Sequence, residues 1–196
     1  MQRRAAPADS GWSLIETMVS MALMSVAGAI FTAGFVQIYS TFRATQEQAA
    51  AQQQLTTAFL RLDREVQYAA ALSLPARVGN DWYAEYLTGV GDPRTCVELR
   101  MNAAAGQLQR RSWTNGTTIS PSPWVPLASD VTAVVTGAGA TVAPFTLLPA
   151  DAAVNFHRLQ VTMASTSGRQ FESIWPALNA GIDATDSICT DARGIP

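Results

Sequence analysis

The chain has 196 residues, 48% of them hydrophobic, and a formal net charge of -2. That length suits one modest domain beside a helix, and the near-neutral charge excludes a global field that would draw it to nucleic acid or anionic lipid. All 13 basic residues are Arg, and there is a single His.

The chain begins with a basic stretch, Arg3 and Arg4, and continues through Ser10-Gly11-Trp12-Ser13-Leu14-Ile15-Glu16. From Thr17 to Phe42 no residue carries a formal charge. That run is long enough to cross a bilayer, which takes about 20 apolar residues. Two Arg before it, against Arg43 after it, orient the N-terminus toward the cytoplasm by the positive-inside rule. Glu16 stands at the mouth of the run, where burying an unpaired carboxylate costs roughly 2.5 kcal/mol or more. A plain anchor has no use for it. A helix that leaves the bilayer and packs beside copies of itself does. Ser13-Leu14-Ile15-Glu16 is also a capping box, and the two roles are compatible.

Three processing readings compete. A conventional signal peptide would be cut near Ser25-Val26-Ala27, but apolar residues continue through Phe35 and Val36. An uncleaved anchor is the second reading. The third is a cut at Gly11, which leaves the whole helix on the mature protein.

The Gly-aromatic-Ser-Leu-Ile-Glu motif before a long apolar helix resembles the N-terminus of type IV pilins and pseudopilins. The resemblance implies cleavage by a prepilin peptidase between Gly11 and Trp12. It implies N-methylation of the new first residue and a role for Glu16, then the fifth residue, in filament assembly. Trp12 stands where the family usually has Phe. The implied partners are other pilin or pseudopilin subunits, the prepilin peptidase, an inner-membrane assembly platform, and the membrane before assembly.

Beyond Arg43 the helix is expected to continue. From Thr41 to Leu72 there is no Pro or Gly. Leu55, Phe59, Leu62, Val66 and Ala69 recur at steps of four and three, one stripe of an amphipathic helix. Arg61, Asp63, Arg64, Glu65 and Gln67 form its opposite, polar face. One helix from Ser13 to about Leu72 would be about 90 Å long, with a stop before Pro75. The stripe is expected to dock on the chain's own sheet.

The remainder reads as β structure. Residues 95–101 and 107–113 alternate around a loop at 102–106, and Asn115-Gly116 marks a turn. Pro121, Pro123 and Pro126 read as a loop around Trp124. Strands are expected at 130–136, 156–164 and 169–175, then a polar tail from Asn179. The fold class expected is thus α+β: one long N-terminal helix on an antiparallel sheet. Its divisions are a leader at 1–11, a transmembrane and filament-core helix at 12–43, an amphipathic half at 44–74, and an extracytoplasmic β domain at 75–196. This order of elements is similar to minor pilins of the W type and pseudopilins of the J type. Leu62-Asp63-Arg64-Glu65-Val66 and Gly106-Gln107-Leu108-Gln109-Arg110 match two motifs of that group loosely.

Cys96 and Cys189 lie beyond the apolar run, which fits one disulfide in an oxidising compartment, with two free core thiols as the alternative. Zinc is poorly supported by two Cys and one His. His157 reads as an ordinary strand residue. Asn179, Asp183, Asp186 and Asp191 could offer oxygens to calcium but do not follow the EF-hand pattern, so a solvated loop is expected. Arg110-Arg111-Ser112-Trp113 juxtaposes base and aromatic, as binders of single strands do; with one such cluster, a hairpin surface is expected instead. No nucleophile elbow or phosphate loop is present, so the chain is read as a subunit rather than an enzyme, without cofactor or metal. The rival reading is a single-pass anchored receptor, for DNA or a surface, that does not polymerise.

Overall fold

The computed structural model describes residues 13–89, 91, 93–116, 118–166, 168–180 and 188–195, without the side chains of residues 44, 47, 48, 51 and 52. The chain divides into two compact units, Met1–Glu47 and Gln48–Pro196. One helix, α1 (Leu14–Gln67), contributes to both.

In the first unit α1 exposes large apolar side chains all round. Leu14, Ile15, Leu23, Phe31, Phe35 and Val36 are each more than half exposed. Their spacing covers the whole circumference, so the helix has no face suited to water. Three of its hydroxyls bond within the helix: Thr17, Ser25 and Thr32 donate to the carbonyls of Leu14, Ala22 and Gly28, each at 2.8 Å. A segment in hydrocarbon must satisfy its polar groups in this way.

In the second unit the predicted stripe is buried. Leu55, Leu62 and Val66 are at most 1% exposed, and Phe59 meets Trp175 edge to face with centroids 5.4 Å apart. The helix ends at Gln67, short of the expected Leu72. The cause is the sheet. Ala70 N–H donates to the Leu87 carbonyl at 2.7 Å, and the next residues pair as a strand, so the backbone is recruited before Pro75 is reached.

Two antiparallel sheets stand where one was expected. The first contains β1 (Ala71–Leu72), β2 (Ala76–Val78), β3 (Asp81–Thr88), β4 (Thr95–Asn102), β5 (Gln107–Thr114) and β6 (Val125–Ser129). Its order is β1-β3-β4-β5-β6, and β2 follows β1 along the edge of β3. The second contains β7 (Val131–Ala133), β8 (Phe145–Leu148), β9 (Arg158–Ser165) and β10 (Gln170–Pro176), with β9 paired to the other three.

β4, β5 and β10 lie where alternation placed them, and β9 starts two residues late. The strand expected at 130–136 shortens to β7, because Asp130 is left-handed at φ 59 and Thr136 opens a turn closed by Gly139. β3 escaped the pattern because five consecutive residues, Tyr83 to Leu87, are buried, so neither face is left exposed to water. β6 escaped because Pro126 reads as a breaker; at the edge of a sheet a missing N–H costs little.

The main core gathers Tyr86, Leu99 and Leu108 from the first sheet, Phe145 and Leu159 from the second, and Leu62 and Val66 from α1. A smaller core lies on the opposite face of the first sheet, where Leu87, Cys96 and Trp113 share a row across β3, β4 and β5 with Cys189 and Ala192 packed on them.

Candidate functional site

The start of α1 is the first candidate. Gly11 and Trp12 lie outside the described residues. Glu16 N–H donates to Ser13 Oγ at 3.3 Å and to the Ser13 carbonyl at 3.0 Å. This is half of a capping box. The return bond from the Glu16 carboxylate is not made among the described residues. Capping therefore uses the backbone of Glu16 and leaves its carboxylate exposed. The apolar segment Leu14–Arg43 follows, 30 residues with its most apolar stretch wholly unburied. As helix it measures about 45 Å, more than the roughly 30 Å of a bilayer's hydrocarbon.

The second candidate is the polar face of the first sheet. Cys96 and Cys189 are bonded, with S–S 2.02 Å and Cα atoms 5.5 Å apart, so the free-thiol alternative falls away. The tail is held by more than this bond. Glu85 and Glu98 sit directly opposite one another on β3 and β4, and Arg111 is opposite Glu98 on β5. The side chains of both acids are 0% exposed. Arg111 Nε meets Glu98 Oε2 at 2.6 Å, and its Nη2 donates to the Ala192 carbonyl at 2.6 Å. Arg193 makes a two-pronged contact with Glu85, Nε to Oε1 at 2.6 Å and Nη2 to Oε2 at 2.5 Å. Ser73 Oγ donates to the same carboxylate. Burial pushes the Glu98 carboxyl above its usual range, outweighing the Arg111 contact that lowers it.

These contacts correct two expectations. The Arg110-Arg111-Ser112-Trp113 cluster is no exposed hairpin surface. Arg110 and Arg111 point to opposite faces, and Arg111 is 2% exposed. Trp124 is engaged by cations within the fold, with the Arg100 and Arg111 guanidinium carbons 4.1 and 4.0 Å from its ring centroid. Glu65, assigned to the solvent face of α1, instead accepts from Tyr86 Oη at 2.7 Å and meets Arg110 Nη2 at 2.9 Å. Burial works against its charge, but the hydrogen bonds from Tyr86 and Arg61 and the charge of Arg110 prevail and hold its pKa below the usual carboxylate value.

His157 is buried just before β9, and its carbonyl accepts from Ala177 N–H at 2.9 Å. Asp183 and Asp186 lie outside the described residues, so the tail's acidic set is represented by Asn179 and Asp191 alone. Among the described residues no group of three or more His, Cys, Asp or Glu could hold a metal ion. Alternation pointed to β4 and β5 but not to the partners of their charges: Glu85 lies in an unrecognised strand and Arg193 in a segment read as loop.

Comparison of the chain with family models, with curated proteins and with solved structures finds no match. The functional reading therefore rests on the chain's own chemistry. Its two notable features are a lone exposed carboxylate opening an apolar helix, and an ionic array sealed beneath the C-terminal segment.

Proposed function

We propose that the chain is a minor pilin or pseudopilin subunit. In this reading it is cleaved between Gly11 and Trp12, held in the cytoplasmic membrane by Leu14–Arg43, and drawn into a filament through that same helix. The N-terminus faces the cytoplasm, and the sheets lie outside, where a disulfide persists.

One observation carries the reading. The segment is apolar on every side, bonds the hydroxyls of Thr17, Ser25 and Thr32 within the helix, and bears a single formal charge between Leu14 and Phe42. Lipid alone accommodates such a helix but gives its carboxylate no partner. A bundle of identical helices accommodates both. Cleavage after Gly11 would free an amine on Trp12, and the Glu16 carboxylate of a neighbouring subunit can pair with it. Breaking one side of such a buried pair typically costs roughly 3–5 kcal/mol, enough to set the stagger between subunits. The contact of Glu65 with Arg110 supports the likeness to the W and J types, since it joins the two segments that carry their motifs.

Glu16→Gln tests the proposal. Gln still fills the third position of a capping box, so the helix start survives while the charge is lost. The expected variant is processed, stays in the membrane and is depleted from sheared filaments. Normal incorporation would favour an anchored receptor that does not polymerise.

A further inference from the structure

The polar face of the first sheet has a charge problem that the sheet alone does not solve. Glu85 and Glu98 are opposite each other and fully buried. Two carboxylates side by side in low dielectric stay charged only when each has a cation beside it. β5 supplies one, Arg111. The second, Arg193, arrives from 108 residues away in sequence. Docking of residues 188–195 buries this face, and without Arg193 it would strand the Glu85 carboxylate with no cationic partner of its own.

The covalent and ionic attachments share one frame. Cys96 and Glu98 are neighbours on the same face of β4. Cys189 and Arg193 flank the 3-10 turn Thr190–Ala192, which is closed by Arg193 N–H to the Thr190 carbonyl at 3.1 Å. The Ala192 carbonyl between them accepts from Arg111, and its methyl is buried. Seating Arg193 on Glu85 therefore brings Cys189 over Cys96 through a short turn.

We infer that the C-terminal segment is an ion-driven latch: Arg193 docks on Glu85 first and positions Cys189, and the disulfide then closes over a contact already made. Arg193 is a positioning residue for oxidation, and the segment stays seated when the bond is absent. Oxidation itself needs a disulfide oxidant. One Cys thiolate attacks it to form a mixed disulfide and release one thiol. The second Cys thiolate then displaces the other, so two protons and two electrons leave the protein.

Two measurements on the full chain in detergent test the latch. The first equilibrates the protein in glutathione and glutathione disulfide buffers and reads the oxidised fraction by alkylation and mass. Arg193→Met should lower the thiol–disulfide equilibrium constant roughly tenfold or more, the scale of one lost buried ion-pair contact. Glu85→Gln with Arg193→Met, which leaves no carboxylate stranded, should show a smaller deficit in the same direction. Arg193→Lys should recover part of it, and Asp191→Asn, an exposed change, none of it lost. The second reads hydrogen exchange of residues 188–195 in Cys96→Ser/Cys189→Ser protein. Protection should persist there and vanish when Arg193→Met is added. If protection vanishes with the cysteines alone, or the equilibrium constant of Arg193→Met equals that of the unaltered chain, the disulfide places the segment and the latch is refuted.

Discussion

Arg110 Nη2 lies 2.9 Å from Glu65 Oε2, tying α1 to β5 across 45 positions of sequence. Tyr86 from β3 donates to the same oxygen at 2.7 Å. Three elements thus converge on one carboxylate at the rim of the main core. The contact explains why a charged residue faces inward beside Leu62 and Val66.

Acid should loosen this junction. The folded pKa of Glu65 is depressed, so its contribution is complete above the unfolded value, about 4.3, and is lost as pH falls through the folded value. Urea unfolding of a soluble fragment beginning near Thr45 should show declining stability below about pH 4.3. Glu65→Gln should cost roughly 1.5–3 kcal/mol at pH 7, the scale of hydrogen bonds to a charged group, and should flatten the acid limb. An acid limb as steep as before would assign that limb to other carboxylates.

Phe59 packs edge-on against Trp175, itself 1% exposed. Phe59→Ala in the same fragment should therefore destabilise it by about 3 kcal/mol or more, the usual cost of emptying an aromatic site. A loss under about 0.5 kcal/mol is surface behaviour and would mean that this part of the stripe serves contacts between subunits.

Cys96 and Cys189 close a loop of 93 positions. Alkylating the unreduced, denatured protein should label neither thiol. Reduction should cost up to about 4.7 kcal/mol on the chain-entropy account, read as a shift in the denaturant midpoint. Labelling of both residues in the isolated protein would contradict the bond.

Maturation gives a fourth prediction, motivated by Gly11 ahead of the apolar helix. A bulky residue at Gly11 should leave the leader attached, since the peptidase of the proposed family must accept a residue without a side chain. Intact mass decides between the two: a variant that loses residues 1–11 as efficiently as the unaltered chain would remove this support for the pilin reading.

Periodicity alone located much of the architecture. An uncharged run longer than a bilayer marks itself by composition, because a segment able to span lipid must be apolar on every side. The stripe from Leu55 to Val66 marks itself by spacing, because one face of a helix must be dry. β4 and β5 were visible as an alternating pair around a short loop, and the two Cys suggested a bond without requiring one.

What the sequence by itself determined, then, is where the chain is uniformly apolar and where it alternates. Only the tertiary structure decided which charges are buried. Glu85, Glu98 and Arg111 lie on what alternation would assign to water, yet that face is covered by the segment carrying Cys189, Ala192 and Arg193. Glu65 reads as a solvent residue until Tyr86 and Arg110 meet it. The physical reason is that hydrophobic burial follows local spacing, whereas a buried charge is tolerated only by partners that arrive from distant positions. Such partners acquire meaning only when the strands register and the tail folds back over them.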